Sequence, residues 1–258
     1  MEESPFYIGN FSQSGRADLE DLEFSDQVHA VGMGAFYACP NLSRVVLNKN
    51  LNYISPLAFA ECSNLREVTA DSNIIALAQN AFENAARILL KNPSYKLESG
   101  LLYNAKWRSI LFAADKSLRT IEFPKNTKSI GWWAFDGMAA LEAVDIPQTV
   151  EWIGERAFSN CPALKSVTLT KSVKQIEQAA FMNCRSLEEF KLPKGLEEIA
   201  PLAFSGCVNL RSVEIPLSVR SIGAAAFEFC ARLEKATVSK WCEIEEGAFD
   251  KGVAVHRL

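Results

Sequence analysis

Six of the seven cysteines, Cys39, Cys62, Cys161, Cys184, Cys207 and Cys230, each stand three residues after a phenylalanine. Thiols in that number could form disulfides, hold zinc or act as nucleophiles, and each chemistry makes its own demand on spacing. A disulfide wants Cβ atoms about 3.5 to 4.5 Å apart, and zinc wants ligands converging on a tetrahedral point. Residues repeated at one fixed interval stack instead, about 5 Å apart with parallel Cα–Cβ vectors, which suits neither. We therefore expect free thiols acting as small buried hydrophobes, with no metal and no cofactor. The seventh, Cys242, follows Trp241 in an irregular last unit. With only two histidines, His29 and His256, near opposite ends of the chain, a Ser/His/Asp or Cys/His site has little to draw on. No Gly-rich phosphate loop or His-Glu zinc motif occurs. Glu122 and Asp145 fall on equivalent positions of adjacent repeats, close enough for paired-carboxylate chemistry or a cation, but a solvated mixed-charge face accounts for them more simply. The expectation is a protein that is not an enzyme.

What must position these residues is a repeat. Ala-Phe pairs end at Phe36, Phe59, Phe82, Phe135, Phe158, Phe181, Phe204, Phe227 and Phe249, with successive differences of 23, 23, 53, 23, 23, 23, 23 and 22. A fixed period of this size marks a repeat architecture. Reading Phe112 as a degenerate member leaves an insertion of seven residues before it. An aliphatic residue stands five before each Phe, as in Ile130, Ile153 and Ile176, and another eight before, as in Ile74, Val150 and Val173. Leucine recurs six after the Phe, and at nine and eleven come pairs such as Val144/Ile146 and Val167/Leu169. That alternation reads as a short strand with one buried face, which only stacked copies can cover.

The phrase IGERAFSNCPALKSVTL, Ile153 to Leu169, and its copies from about Leu19 onward resemble the BspA-like subclass of leucine-rich repeats. The resemblance implies a solenoid, a right-handed superhelix with one short strand per repeat forming a parallel sheet, plus one inserted β-hairpin. It also implies a non-catalytic binding protein, many members sitting on bacterial cell surfaces, where adhesion is the usual role.

Function is then expected on surfaces. Positions eight and ten after each Phe alternate with the buried ones and should line the outer face of the strands. The row at ten includes Asn92, Glu122, Asp145, Thr168, Lys191 and Glu214. The other signal is where the pattern breaks: Trp132 and Trp133 replace residues such as Gln79 and Asn80, and Trp152 stands six before its Phe. Exposed, they would present an aromatic cluster of the kind found at binding hot spots. Alternatively Trp107, Trp132 and Trp133 pack the inserted hairpin, residues 92–112, against the repeats; its turn is expected at Asn104-Ala105-Lys106.

With 258 residues, 48% of them hydrophobic, and no linker-like stretch, one solenoid over 1–258 is the simplest organisation, with residues 1–24 as a degenerate amino-terminal cap and 241–258 as an irregular last unit. The net charge of −4 argues against a general nucleic-acid binder. No apolar run is long enough to insert in a membrane, and MEESPF is acidic where a secretory signal would be basic. As written the chain reads as cytoplasmic, or as the trimmed form of a surface or secreted protein. The expected partner is a protein or a glycan, bound by a monomer, with end-to-end association as the other arrangement. The expected function is a protein-interaction module for adhesive or surface-associated binding, with an intracellular scaffold or adaptor as the alternative.

Overall fold

The computed structural model describes residues 7–70, 76–77, 81–82, 87–90 and 93–258. Ile74, Gln79, Asn80 and Asn92 lie outside the described residues, as do the first six residues of the expected cap. Two compact units are distinguished, one running to Trp107 and including Leu111–Asp115, the other comprising Arg108–Ile110 and Lys116–Leu258. Each is a β-solenoid of parallel strands, and no helix occurs among the described residues.

In the first unit Asp21–Glu23, Arg44–Leu47, Glu67–Ala70 and Arg87–Leu90 form one parallel ladder. In the second, Ala143–Asp145 pairs with Ser166–Thr168, and Glu189–Lys191, Ser212–Glu214, Lys235–Val238 and Ala254–Arg257 pair in succession. Register puts Val144 beside Val167 and Phe190 beside Val213, all buried, while Asp145 beside Thr168 and Lys191 beside Glu214 face out. Residues 7–24 build a turn of the same plan, with Gln13 in the Phe slot: Gln13 N–H donates to the Ala35 carbonyl at 2.8 Å, as Phe36 N–H does to Ala58.

The structure adds a second strand to each repeat. The aliphatic residue five before the Phe and its neighbour form two-residue ladders, such as Ser129–Ile130, Trp152–Ile153 and Gln175–Ile176. Two residues are too few for the alternation that identifies a strand in sequence. A further ladder runs through the Ala-Phe segment itself. Arg156, Phe158 and Asn160 donate their N–H groups to Gln178, Ala180 and Met182 of the next turn at 2.8 to 2.9 Å. The residues on either side of that Phe, Arg156 and Asn160, have φ of 53° and 54°. This left-handed conformation costs a non-glycine residue roughly 1 kcal/mol, offset here by a backbone donor satisfied at every second position.

The phenylalanines form two stacks. Phe36, Phe59 and Phe82 lie 4.9 to 5.1 Å apart in one unit, and Phe135, Phe158, Phe181, Phe204, Phe227 and Phe249 lie 4.9 to 5.5 Å apart in the other, with interplanar angles of 16° or less. All seven cysteines are free and buried. They are more than small hydrophobes. The thiols of Cys62, Cys161, Cys184, Cys207 and Cys230 donate to the carbonyl of the Phe one turn earlier, at 3.1 to 3.2 Å, satisfying a buried acceptor. Cys242 takes the core slot held one turn earlier by Val219, its N–H bonding Ser239 as that of Val219 bonds Pro216.

Burial pushes the thiols of Cys62, Cys161 and Cys230 up to about 12. Protonated thiols are poor nucleophiles. A thiol held protonated in the fold but ionising near 8.5 once unfolded favours the folded state below that pH, and this stabilisation is lost as pH rises from there toward 12. We expect these cysteines to resist iodoacetamide at pH 9 in the native protein and to react on denaturation, counted by mass spectrometry.

The insertion contains two turns rather than one. Tyr95–Glu98 pairs antiparallel with Leu101–Asn104 through a two-residue turn at Ser99-Gly100, both residues having positive φ (50° and 75°) as a tight hairpin requires. The chain then reverses again where expected: Asn104 Oδ1 accepts the N–H groups of Lys106 and Trp107 at 3.0 Å.

Candidate partner-binding surface

The strand face is where polar side chains gather without being required by the core. Glu122, Asp145, Thr168, Lys191 and Glu214 are all exposed and occupy one outward row. Thr120 bridges to Ala143, so Glu122 follows the same register toward Asp145.

The row is not uniform. Ser166–Thr168 and Glu189–Lys191 are neighbours whose Cα atoms come within 8 Å, yet they belong to separate ladders. The residue filling the inward slot beside this break is Phe190, where the flanking turns carry Val167 and Val213. Its ring packs edge-on against Phe181 and Phe204 at 5.0 and 4.7 Å. A larger side chain between the layers accounts for the local loss of pairing. The break opens a cleft of about 690 Å³, lined by Lys165, Ser166, Thr168, Ser186, Glu188 and Lys191 among others. An additional strand would hold its two neighbours roughly 9.6 Å apart, so the 8 Å approach leaves room for side chains and not for an inserted backbone.

The tryptophans divide. Trp132 is 45% exposed and meets Trp133 edge-to-face at 6.4 Å between centroids; Trp133 is half-buried and left-handed, with φ of 54°. Trp152 is also half-buried, its Nε1–H donating to Glu177 Oε1 at 3.0 Å, so its polar edge is already engaged. Trp107 stands on the turn after Leu101–Asn104 and is 56% exposed. Among the described residues no three or more His, Cys, Asp and Glu gather as a metal site, and no helix is long and apolar enough to cross a membrane.

The model of the BspA type leucine rich repeat region matches residues 1–105, 105–234 and 175–254, in six copies. The chain belongs to this family. Among solved structures, the BspA-type chain is similar to a leucine-rich cell surface protein from Faecalibacterium prausnitzii A2-165, at 22% identity over 90% of this chain and 83% of that one, with a TM-score of 0.63. It is similar to the pneumococcal vaccine antigen PcpA, at 22% identity and a TM-score of 0.74, over 93% of this chain and 63% of that one. A leucine-rich repeat protein from Eubacterium ventriosum ATCC 27560 is 19% identical over 91% of this chain and 82% of that one, with a TM-score of 0.63. At these identities the likenesses establish the fold. No curated protein matches.

For a BspA-type repeat, the outward row was readable from the frame, but the cleft was not. Ser186 stands five and Lys165 and Glu188 seven residues after their Phe, on either side of the leucine at six, in slots the repeat pattern leaves unassigned. The oversized Phe190 was the one signal that could have located it.

Proposed function

We propose that this chain is a non-catalytic protein-binding module that engages its partner through the outward strand face, centred on the cleft between Ser166–Thr168 and Glu189–Lys191, and that it serves adhesion or surface-associated recognition. The interrupted ladder is the observation that carries this reading. It exposes strand edges and a polar recess in an otherwise regular wall, and a partner needs such a feature to find one register among near-identical turns. Lys165 and Lys191 beside Glu188 and Glu189 offer both signs of charge within one recess, which favours a partner surface of mixed charge. Two proteins of similar structure, a cell surface protein and a vaccine antigen, support the surface setting. Exposed Trp132, backed by half-buried Trp133, extends the same proposal as an aromatic contact.

The test is partner capture from a cell-envelope fraction, followed by affinity measurement on the purified partner. Lys191→Glu and Thr168→Arg should each weaken binding about tenfold or more without altering thermal stability, because both side chains are exposed. A partner that binds both variants as tightly as wild type defeats the assignment.

A further inference from the structure

A second recess in the Lys116–Leu258 unit has a different chemistry. Trp241 is 80% exposed, more than any other large apolar side chain among the described residues, and Leu217 beside it is 65% exposed. Both border a cleft of about 440 Å³ that also takes in Lys174, Glu197, Ser218 and Arg220. An indole left in water at this level is unexplained by packing, and exposed tryptophan concentrates where something binds.

The surrounding charge is basic in a way the sequence conceals. Lys171, Lys194 and Lys240 are separated by 23 and 46 residues, so no Lys/Arg run marks them, yet they occupy one turn position and all are exposed. At about 4.8 Å per turn, Lys171 and Lys194 are one rung apart and Lys240 lies two rungs further, with Leu217 at the rung between. Elsewhere in this unit, stacked cations are held by carboxylates of adjacent turns: Arg119 by Glu142, Lys128 by Glu151 and Arg211 by Glu188. Among the described residues no ion pair engages Lys171, Lys174, Lys194 or Arg220. The Lys174 ammonium lies across Gly195, 2.7 Å from where a Cβ would stand, so the glycine leaves it room in the recess. The Lys240 ammonium sits 5.0 Å from the centre of the Trp241 ring.

We propose that this recess and the lysine row beside it bind an acidic polysaccharide. A pyranose lays its C–H face on Trp241, and its carboxylate or sulfate groups meet Arg220, Lys174 and the row of lysines. Glu197 decides between anionic ligands. Its carboxylate accepts hydrogen bonds from sugar hydroxyls, whereas a phosphodiester backbone brings only like charge to it. This site is separate from the strand-face cleft and stands or falls without it.

The test titrates the full chain with a heparin oligosaccharide, an oligogalacturonate, a neutral dextran oligosaccharide and an oligothymidylate, by calorimetry at about 50 and 200 mM salt. At least one acidic saccharide should bind, more weakly at the higher salt, and dextran should not. Trp241→Ala and Arg220→Gln should each weaken it roughly tenfold, and Trp241→Tyr should retain most of the affinity by keeping an aromatic platform. Circular dichroism should be unchanged, since Trp241 contributes almost nothing to the core. Three results overturn the proposal: no acidic saccharide binding up to about millimolar concentration, binding indifferent to Trp241→Ala, or oligothymidylate binding as tightly with the same losses.

Discussion

Replacing Phe181 with alanine should lower the unfolding free energy by about 3–5 kcal/mol, the cost of emptying a large aromatic from a site that cannot collapse. The ring is fully buried and stacks between Phe158 and Phe204 at 5.3 and 5.5 Å, and Phe190 meets it edge-on at 5.0 Å. Each of those neighbours belongs to a different turn or layer, so their backbones are fixed by inter-turn hydrogen bonds such as Phe181 N–H to the Ala203 carbonyl at 2.8 Å. In a solenoid the stability is close to a sum of nearest-neighbour interfaces, and a loss in mid-stack weakens two of them. Urea denaturation should therefore show a lower midpoint and a broader transition. Phe229, 64% exposed, is the matched control: its alanine variant should lie within about 0.5 kcal/mol of wild type. A Phe181→Ala loss below about 1 kcal/mol would show that the strand ladders alone hold the turns together.

The contrast between Phe181 and Phe229 also shows why the core was legible from sequence. A single Phe carries little information about burial, but nine in one frame define which slot is inside, and Phe229 stands two places off that slot. The same multiplication exposed the outward row from Glu122 to Glu214. What stayed hidden had either no residue type or no local spacing. The acceptor for the Cys184 thiol is the Phe158 carbonyl, and every residue has a carbonyl. The two-residue strands at Ile153 and Ile176 are too short to show a period. The Ser99-Gly100 turn was hidden because the turn-like Asn104-Ala105-Lys106 already supplies a reversal for the hairpin over 92–112. The basic patch was scattered by the repeat itself, which separates spatial neighbours by 23 residues. Both recesses lie where turns differ from one another, at Phe190 and at Trp241, but Phe190 keeps the apolar character of its slot and Trp241 falls in the irregular last unit, so neither stands out as a break in the way Trp132 and Trp133 do.

At the slot four residues before the Phe, which only some turns fill with glycine, fold and surface meet, and Gly154→Ala should show it. The backbone φ at Gly154 is not left-handed, so alanine is acceptable in itself; the obstacle is the neighbouring turn. An added Cβ would stand 2.7 Å from Trp132 Cδ1 and 2.8 Å from both Trp132 N and Gly131 C, closer than real Cβ contacts allow. Two of those three atoms are backbone and cannot rotate aside. The equivalent slots in later turns hold Glu177 and Ala200, so the shape of the repeat does not forbid a side chain there; the constraint comes from the Gly131–Trp132 backbone and the Trp132 indole lying close to this particular glycine. Overpacking of this kind costs about 1–3 kcal/mol, less than emptying the Phe181 site but concentrated on one turn. The indole of Trp132 should be displaced and its edge-to-face contact with Trp133 lost, seen as a change in tryptophan emission and in quenching by iodide. If stability and emission are both unchanged, the Gly131–Trp132 backbone gives way at little cost, and the close fit of these two turns is not what holds the indole in place.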